Sequence, residues 1–128
     1  MNAISVLIVD DSAVMRKIVD RSLRQAGIEI KEVFEAGNGV EALARMQQTT
    51  VDLILSDINM PTMDGLELVR QLQAVENAKG VPIVMVTTEA GEAHVVQALS
   101  SGAQGYIRKP FSADQIKERI IPLLQGKK

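Results

Sequence analysis

The sequence contains no cysteine and only one histidine. Without cysteine the chain can form neither a disulfide framework nor a thiolate metal site, and one histidine is too few for a histidine-rich zinc site. Two Phe and one Tyr are too few aromatic side chains for a platform on which nucleic-acid bases stack. These absences exclude disulfide-stapled, zinc-binding and single-strand nucleic-acid-binding classes.

The chain also lacks a large excess of charge of either sign. Its 14 basic residues are balanced by 16 acidic ones, which gives a net charge of −2. Such a balance argues against a nucleic-acid binder that relies on phosphate contacts. The longest apolar runs have the length of a strand, as in residues 6–9, so no membrane span is expected. The start of the chain lacks the pattern of a signal peptide. We therefore expect a soluble, cytoplasmic protein that binds neither membrane nor nucleic acid.

The 128 residues, 46% of them hydrophobic, fit one domain with a sizeable core, and we expect a single domain over 1–128. Apolar β-branched runs predict strands over 4–9, 30–35, 51–56, 81–86 and 105–108, and a helical period separates them. In the first helix Met15, Ile18, Val19 and Leu23 are expected to face the core. This alternation predicts an α/β fold, a parallel sheet with helices on both faces.

Polar residues end four of the predicted strands: Asp10 and Asp11, then Asp57, Thr87 and Lys109. Each alone has an ordinary explanation, such as a helix N-terminal charge or a solvated lysine. Together they lie at the sheet edge where such folds bind ligands. Clustered carboxylates repel one another unless a hard cation such as Mg²⁺ joins them. With an ammonium and a hydroxyl opposite, the set suits phosphoryl transfer to a carboxylate.

The motifs that carry a family resemblance are Val9-Asp10-Asp11, the run from Ser56-Asp57 to Asp64-Gly65, Thr87, Tyr106 and Lys109-Pro110-Phe111. They resemble the response-regulator receiver domain over the whole chain, and within that family they are most similar to the chemotaxis regulators. The resemblance implies a flavodoxin-like, doubly wound sheet of five parallel strands in the order 2-1-3-4-5, with five helices.

The resemblance also implies the roles of the site residues. Asp57 corresponds to the phosphoacceptor. Asp11, Asp57 and the main-chain carbonyl of Asn59 correspond to direct Mg²⁺ ligands, with Asp10 acting through water. Lys109 corresponds to the cation that meets the phosphoryl oxygens. The implied activity is limited to the protein's own phosphorylation and dephosphorylation, so it is not expected to be an enzyme acting on other substrates.

The implied output is a conformational switch. Thr87 corresponds to the hydroxyl that moves to the phosphoryl group, and Tyr106 to the ring that follows it. The implied partners are a sensor histidine kinase, a phosphatase and a downstream protein such as a flagellar motor switch, read by the face of the fourth helix, fifth strand and fifth helix. Glu92 and Pro122 depart from the basic residues that chemotaxis regulators carry on that face.

Two other functions remain open at this point. A stand-alone receiver can act as a phosphorelay intermediate or a phosphate sink, with no output partner. A Mg²⁺-dependent hydrolase with an aspartyl nucleophile is the other alternative. Asn59 stands two residues after Asp57, where such hydrolases need a second carboxylate as general acid–base, so this reading is disfavoured.

Overall fold

The computed structural model describes residues 3–58, 60, 62–87, 92–109 and 112–126. The strands are β1 (Ile4–Val9), β2 (Ile30–Ala36), β3 (Leu53–Asp57), β4 (Ile83–Thr87) and β5 (Gly105–Arg108). The helices are α1 (Ala13–Gln25), α2 (Gly39–Gln48), α3 (Gly65–Leu72), α4 (Glu92–Ser101), α5 (Ala113–Arg119) and α6 (Ile121–Gly126), with a 3₁₀ turn at Glu76–Ala78.

All the strands pair in parallel, in the order β2-β1-β3-β4-β5, which confirms the predicted fold. Parallel strands need both faces covered, and the central strands are therefore apolar almost throughout. Every residue of β1 is buried. β3 and β4 begin two residues later and end one residue later than predicted. At β4 the reason is Pro82, which has no N–H to give to the ladder and contributes only its carbonyl, to Ile54.

The sheet separates two hydrophobic cores. On one face α2, α3 and α4 pack against β-strand residues such as Leu7 and Met85. On the other face α1, α5 and α6 pack against residues such as Ile8 and Val84. Since neighbouring residues of a strand point to opposite faces, each central strand contributes to both cores. Each strand is followed by a helix, so the loops at the carboxyl ends of the strands connect the sheet to these two layers of helices.

Local side chains set where the helices begin. Ser12, Asn38, Asp64 and Ser112 each accept a hydrogen bond from the backbone N–H three residues later, at 2.9–3.3 Å. In α2 the reciprocal bond of a capping box is shifted by one residue, because Glu41 accepts from the N–H of Gly37 at 2.8 Å rather than from that of Asn38. These caps fix the direction in which each helix leaves the loop before it.

The last predicted helix is divided into α5 and α6. Pro122 has no N–H, and its ring collides with the carbonyl four residues earlier in a continuous helix. The N–H of Leu123 donates to the carbonyl of Ile120 at 3.0 Å, a tighter bond of the 3₁₀ type, at the point where α5 ends and α6 begins. Ile116, Ile120 and Leu124 are still buried against the sheet, and Leu123 is partly buried.

One prediction for α1 is wrong. Val19 and Leu23 are buried, but Ile18 is 44% exposed and its neighbour on the helix surface, Val14, is 69% exposed. The helix rests on the sheet along a narrow line, so apolar positions beside that line remain in contact with solvent. Among the helices of the described residues, none is long and apolar enough to span a membrane.

Candidate functional site

The candidate site lies at the carboxyl ends of β1 and β3. Val9 and Ser56 are partners in the ladder between these strands, so the next residues, Asp10 and Asp57, leave the sheet side by side. Asp11 follows on the turn into α1. One carboxylate oxygen from each of Asp10, Asp11 and Asp57 lies within 4.8 Å of the other two. The structure thus brings the neighbouring carboxylates of Asp10 and Asp11 together with that of Asp57, from a distant part of the sequence.

Asp10 is the most firmly held of these carboxylates. Only 3% of the residue is exposed. Its N–H donates to the carbonyl of Ala36 at 3.0 Å, and its Oδ1 accepts from the N–H of Ser12 at 2.9 Å. Its carbonyl accepts from the guanidinium of Arg16 at 2.6 Å. Asp11, by contrast, is exposed, so the two neighbouring aspartates have different environments.

Lys109, which follows β5, supplies a cation to the same cluster. Its Nζ lies 3.4 Å from Oδ2 of Asp10 and 3.8 Å from Oδ2 of Asp57. The ammonium therefore sits between the two carboxylates rather than in solvent, with 19% of its side chain exposed. One positive charge against three carboxylates leaves the cluster with a negative excess, which suits a divalent cation.

The loop after Asp57 packs tightly on the acceptor strand. Oδ1 of Asp57 accepts from the N–H of Ile58 at 2.8 Å, and the N–H of Gly65 donates to the carbonyl of Ile58 at 2.8 Å. A Cβ at Gly65 would lie 2.1 Å from the carbonyl oxygen of Asp57, so only glycine allows α3 to begin this close to the strand. Asn59, the predicted ligand through its carbonyl, lies outside the described residues.

The two predicted switch residues lie on the neighbouring strands. Thr87 is the last residue of β4, one position beyond Val86, the ladder partner of Asp57. Tyr106 is opposite Met85 in the β4–β5 ladder and is half-buried. The guanidinium carbon of Arg119 lies 4.8 Å from the centre of the Tyr106 ring, a cation–π contact from α5.

Three further residues shape the site in ways that the sequence did not predict. Arg16 and Glu35 join α1 and β2 to the turn that carries Asp10, and Gly65 supports Asp57. Arg16 lies on the polar side of an amphipathic helix, where solvation is the ordinary expectation. Two sequence signals pointed toward the site: Glu35 is one residue from the end of a strand beside β1, and Gly65 ends the motif run that begins at Ser56.

These carboxylates offer the oxygen ligands that Mg²⁺ prefers, at the sheet edge where it would meet a phosphoryl group. The donor set contains no sulfur or imidazole from the described residues, so it suits a hard cation. The arrangement can therefore hold a divalent cation among the carboxylates, with the ammonium of Lys109 beside Asp57.

Comparisons with known proteins agree with this geometry. Residues 6–121 match the family model described as the response regulator receiver domain. The chain is 41% identical over 119 residues to chemotaxis protein CheY1 of Helicobacter pylori, covering 92% of this chain and 94% of that one. It is 42% identical over 119 residues to a CheY homologue of Campylobacter jejuni, covering 92% and 90%.

Solved structures show the same fold. The chemotaxis response regulator CheY4 of Vibrio cholerae is 38% identical, with a TM-score of 0.78 over 91% of this chain and 95% of that one. The receiver domain of a Pseudomonas aeruginosa sensor histidine kinase, which has a magnesium ion in its active-site cleft, is 27% identical, with a TM-score of 0.79 over 98% of both chains. The chain belongs to the response regulator receiver domains, the CheY-like signalling proteins of two-component systems.

Proposed function

We propose that this protein is a response regulator that accepts a phosphoryl group on Asp57 from the phosphohistidine of a sensor histidine kinase. The observation that carries the proposal is the position of Asp57, with carboxylate oxygens of Asp10 and Asp11 within 4.8 Å and the ammonium of Lys109 at 3.8 Å. A carboxylate with this surrounding is equipped to act as a nucleophile toward phosphorus.

The proposed reaction needs only groups at this edge of the sheet. An oxygen of Asp57 forms a bond to phosphorus while the phosphorus–nitrogen bond of the donor breaks, and the electron pair returns to the imidazole. Asp10, Asp11, Asp57 and the carbonyl of Asn59 would hold Mg²⁺, which neutralises charge on the phosphoryl oxygens when bound. Lys109 needs little movement to meet a phosphoryl oxygen, because its ammonium already contacts Asp57. Hydrolysis of the acyl phosphate by water restores Asp57.

The proposed output is a rearrangement at β4 and β5. Phosphorylation adds negative charge and acceptor oxygens beside the end of β4, where Thr87 would donate to a phosphoryl oxygen. Tyr106 pairs with Met85 in the β4–β5 ladder, two residues before Thr87. Its ring would then turn inward and lose its contact with Arg119. The change in surface at α4, β5 and α5 would be read by a target protein.

A chemotaxis role is the most specific form of this proposal. Its support is the 41–42% identity to chemotaxis proteins of Helicobacter and Campylobacter. The target would then be a flagellar motor switch protein, and a phosphatase would shorten the signal. Under this proposal the protein works in the cytoplasm, because it meets the kinase domain, the motor switch protein and the phosphatase there.

The proposal is tested with acetyl phosphate as a small donor. We expect the intact mass to rise by one phosphoryl group in Mg²⁺, and to stay unchanged in EDTA. Asp57→Asn should abolish the increase, whereas Asp114→Asn, which removes an exposed carboxylate on α5, should not. A phosphorylated Asp57→Asn protein, at the yield of the wild type, would show that another residue is the acceptor.

A second measurement separates a switch from a sink. Amide chemical shifts are recorded with and without beryllofluoride, which imitates the phosphoryl group. A switch predicts shifts that extend from the aspartates to Tyr106 and α5. Shifts confined to Asp10, Asp11 and Asp57 would instead favour a phosphate sink or relay.

A further inference from the structure

Arg16 joins three elements of the fold around the turn between β1 and α1. Its Nη1 donates to the carbonyl of Asp10 at 2.6 Å, and its Nε donates to Oε1 of Glu35, near the end of β2, at 2.6 Å. Only 18% of the Arg16 side chain is exposed, although α1 is a surface helix. The guanidinium is therefore fixed by two bonds in different directions, which its planar fork of donors permits.

The bond to Asp10 constrains Asp11 as well. The carbonyl of Asp10 and the nitrogen of Asp11 belong to one planar peptide group, so holding the oxygen sets the plane from which Asp11 continues. The other side of Asp10 is already fixed by Ala36 and Ser12. Asp11 itself is exposed, so the peptide group held by Arg16 fixes its backbone at a position from which its carboxylate lies within 4.8 Å of that of Asp57.

The pair adds little net charge to the site. Glu35 neutralises the guanidinium at hydrogen-bonding distance, so the main effect of Arg16 on the carboxylates is geometric. A second pair on the same helix provides a comparison. Arg24 donates to Asp20 at 2.8 Å, four residues earlier, with half of its side chain exposed and no link to the β1–α1 turn.

We propose that Arg16, held by Glu35, is a positioning residue that orients Asp11 and thereby sets the affinity of the site for Mg²⁺. The inference rests on the proposed function, because it assigns Mg²⁺ to the cluster of Asp10, Asp11 and Asp57. It extends that proposal to a pair that is not among the proposed Mg²⁺ ligands.

The test measures Mg²⁺ binding by calorimetry, together with the rate of phosphorylation by acetyl phosphate across Mg²⁺ concentrations. Substitution of groups that orient metal ligands typically costs 10–100-fold in affinity. We expect Arg16→Gln to raise the Mg²⁺ dissociation constant about tenfold. The maximal phosphorylation rate at saturating Mg²⁺ should change much less. Arg24→Gln, the matched control, should bind as the wild type does.

Two conservative variants make the test specific. Arg16→Lys keeps the charge but cannot serve two acceptors in fixed directions, so its affinity should remain several-fold weaker than that of the wild type. Glu35→Gln keeps Arg16 and an acceptor, and we expect a smaller loss. It also provides the test if Arg16→Gln does not fold, as judged by circular dichroism.

Several results would overturn the inference. An Arg16→Gln protein that binds Mg²⁺ as tightly as Arg24→Gln would show that the turn needs no support. Full affinity in Arg16→Lys would assign the effect to charge. If the wild type itself neither binds Mg²⁺ nor accepts a phosphoryl group, the proposed function fails, and this result is distinct from a normal wild type with unaffected variants.

Discussion

Neutralising Asp11 should stabilise the metal-free protein. Oxygens of the Asp10, Asp11 and Asp57 carboxylates lie within 4.8 Å of one another. Two unit charges at that distance repel by about 0.9 kcal/mol in water and about 3.5 kcal/mol at an effective dielectric constant of 20. Asp11 is exposed, and Lys109 offsets part of the repulsion, so the lower end applies. We expect Asp11→Asn to raise the free energy of unfolding by about 1–2 kcal/mol without divalent cations.

The assay is urea unfolding of wild type and Asp11→Asn, each in EDTA and in Mg²⁺. A ligand at ten times its dissociation constant stabilises the native state by about 1.4 kcal/mol. At that Mg²⁺ concentration the free energy of unfolding of the wild type should rise by this amount. That of the variant, which lacks one ligand, should rise little. The advantage of Asp11→Asn should therefore shrink or reverse when Mg²⁺ is added. Glu118→Gln, which removes an exposed carboxylate on α5, should show neither effect.

Two results would refute this reasoning. If Asp11→Asn is no more stable than the wild type in EDTA, the carboxylates do not repel one another appreciably in the folded protein. If Asp11→Asn is more stable than the wild type by the same amount with and without Mg²⁺, the added stability does not come from relief of repulsion at the metal site. It would then come from the unfolded state or from the start of α1.

Three further predictions concern the surroundings of the acceptor. Lys109→Arg should still be phosphorylated but switch poorly, because a planar fork replaces a compact ammonium; normal beryllofluoride shifts at Tyr106 would contradict this. Gly65→Ala should lower the free energy of unfolding by about 1–3 kcal/mol and slow phosphorylation, since its Cβ would meet the carbonyl of Asp57 at 2.1 Å; unchanged urea midpoint and rate would contradict it. Arg119→Gln removes a cation–π contact of about 0.5–1 kcal/mol, which should favour the inward Tyr106 ring about two- to fivefold in side-chain NMR; an unchanged ring population would count against it.

The fold was predictable because apolar runs typical of buried strands alternate along the sequence with stretches of helical period. Apolar runs such as that of β1 have no polar face, which is the pattern of a strand covered on both sides. Capping residues such as Ser12 and Asn38 stand directly before the first residues of α1 and α2. The strand order came from the family resemblance rather than from the pattern, because periodicity does not say which strands are neighbours.

The approach of Asp10, Asp11 and Asp57 was predictable from the ends of parallel strands, but their different environments were not. Whether an aspartate is buried depends on groups from other elements, such as Ala36 and Lys109 around Asp10. The same reason hid the role of Arg16, whose partner Glu35 lies 19 residues away on another element. For Ile18 the helical period was right, but the width of the buried line along α1 depends on how the helix rests on the sheet.

The interruption at Ile120 has a consequence for the end of the described chain. α5 has seven residues and α6 has six, and helices of this length do not persist in water by themselves. Both therefore owe their helical form to Ile116, Ile120 and Leu124, which anchor them to the sheet. The two helices therefore depend on the same few buried side chains and should unfold as one unit. Loss of one anchor should release both helices together, opening the same backbone to proteases and to rapid amide exchange while the central strands stay protected.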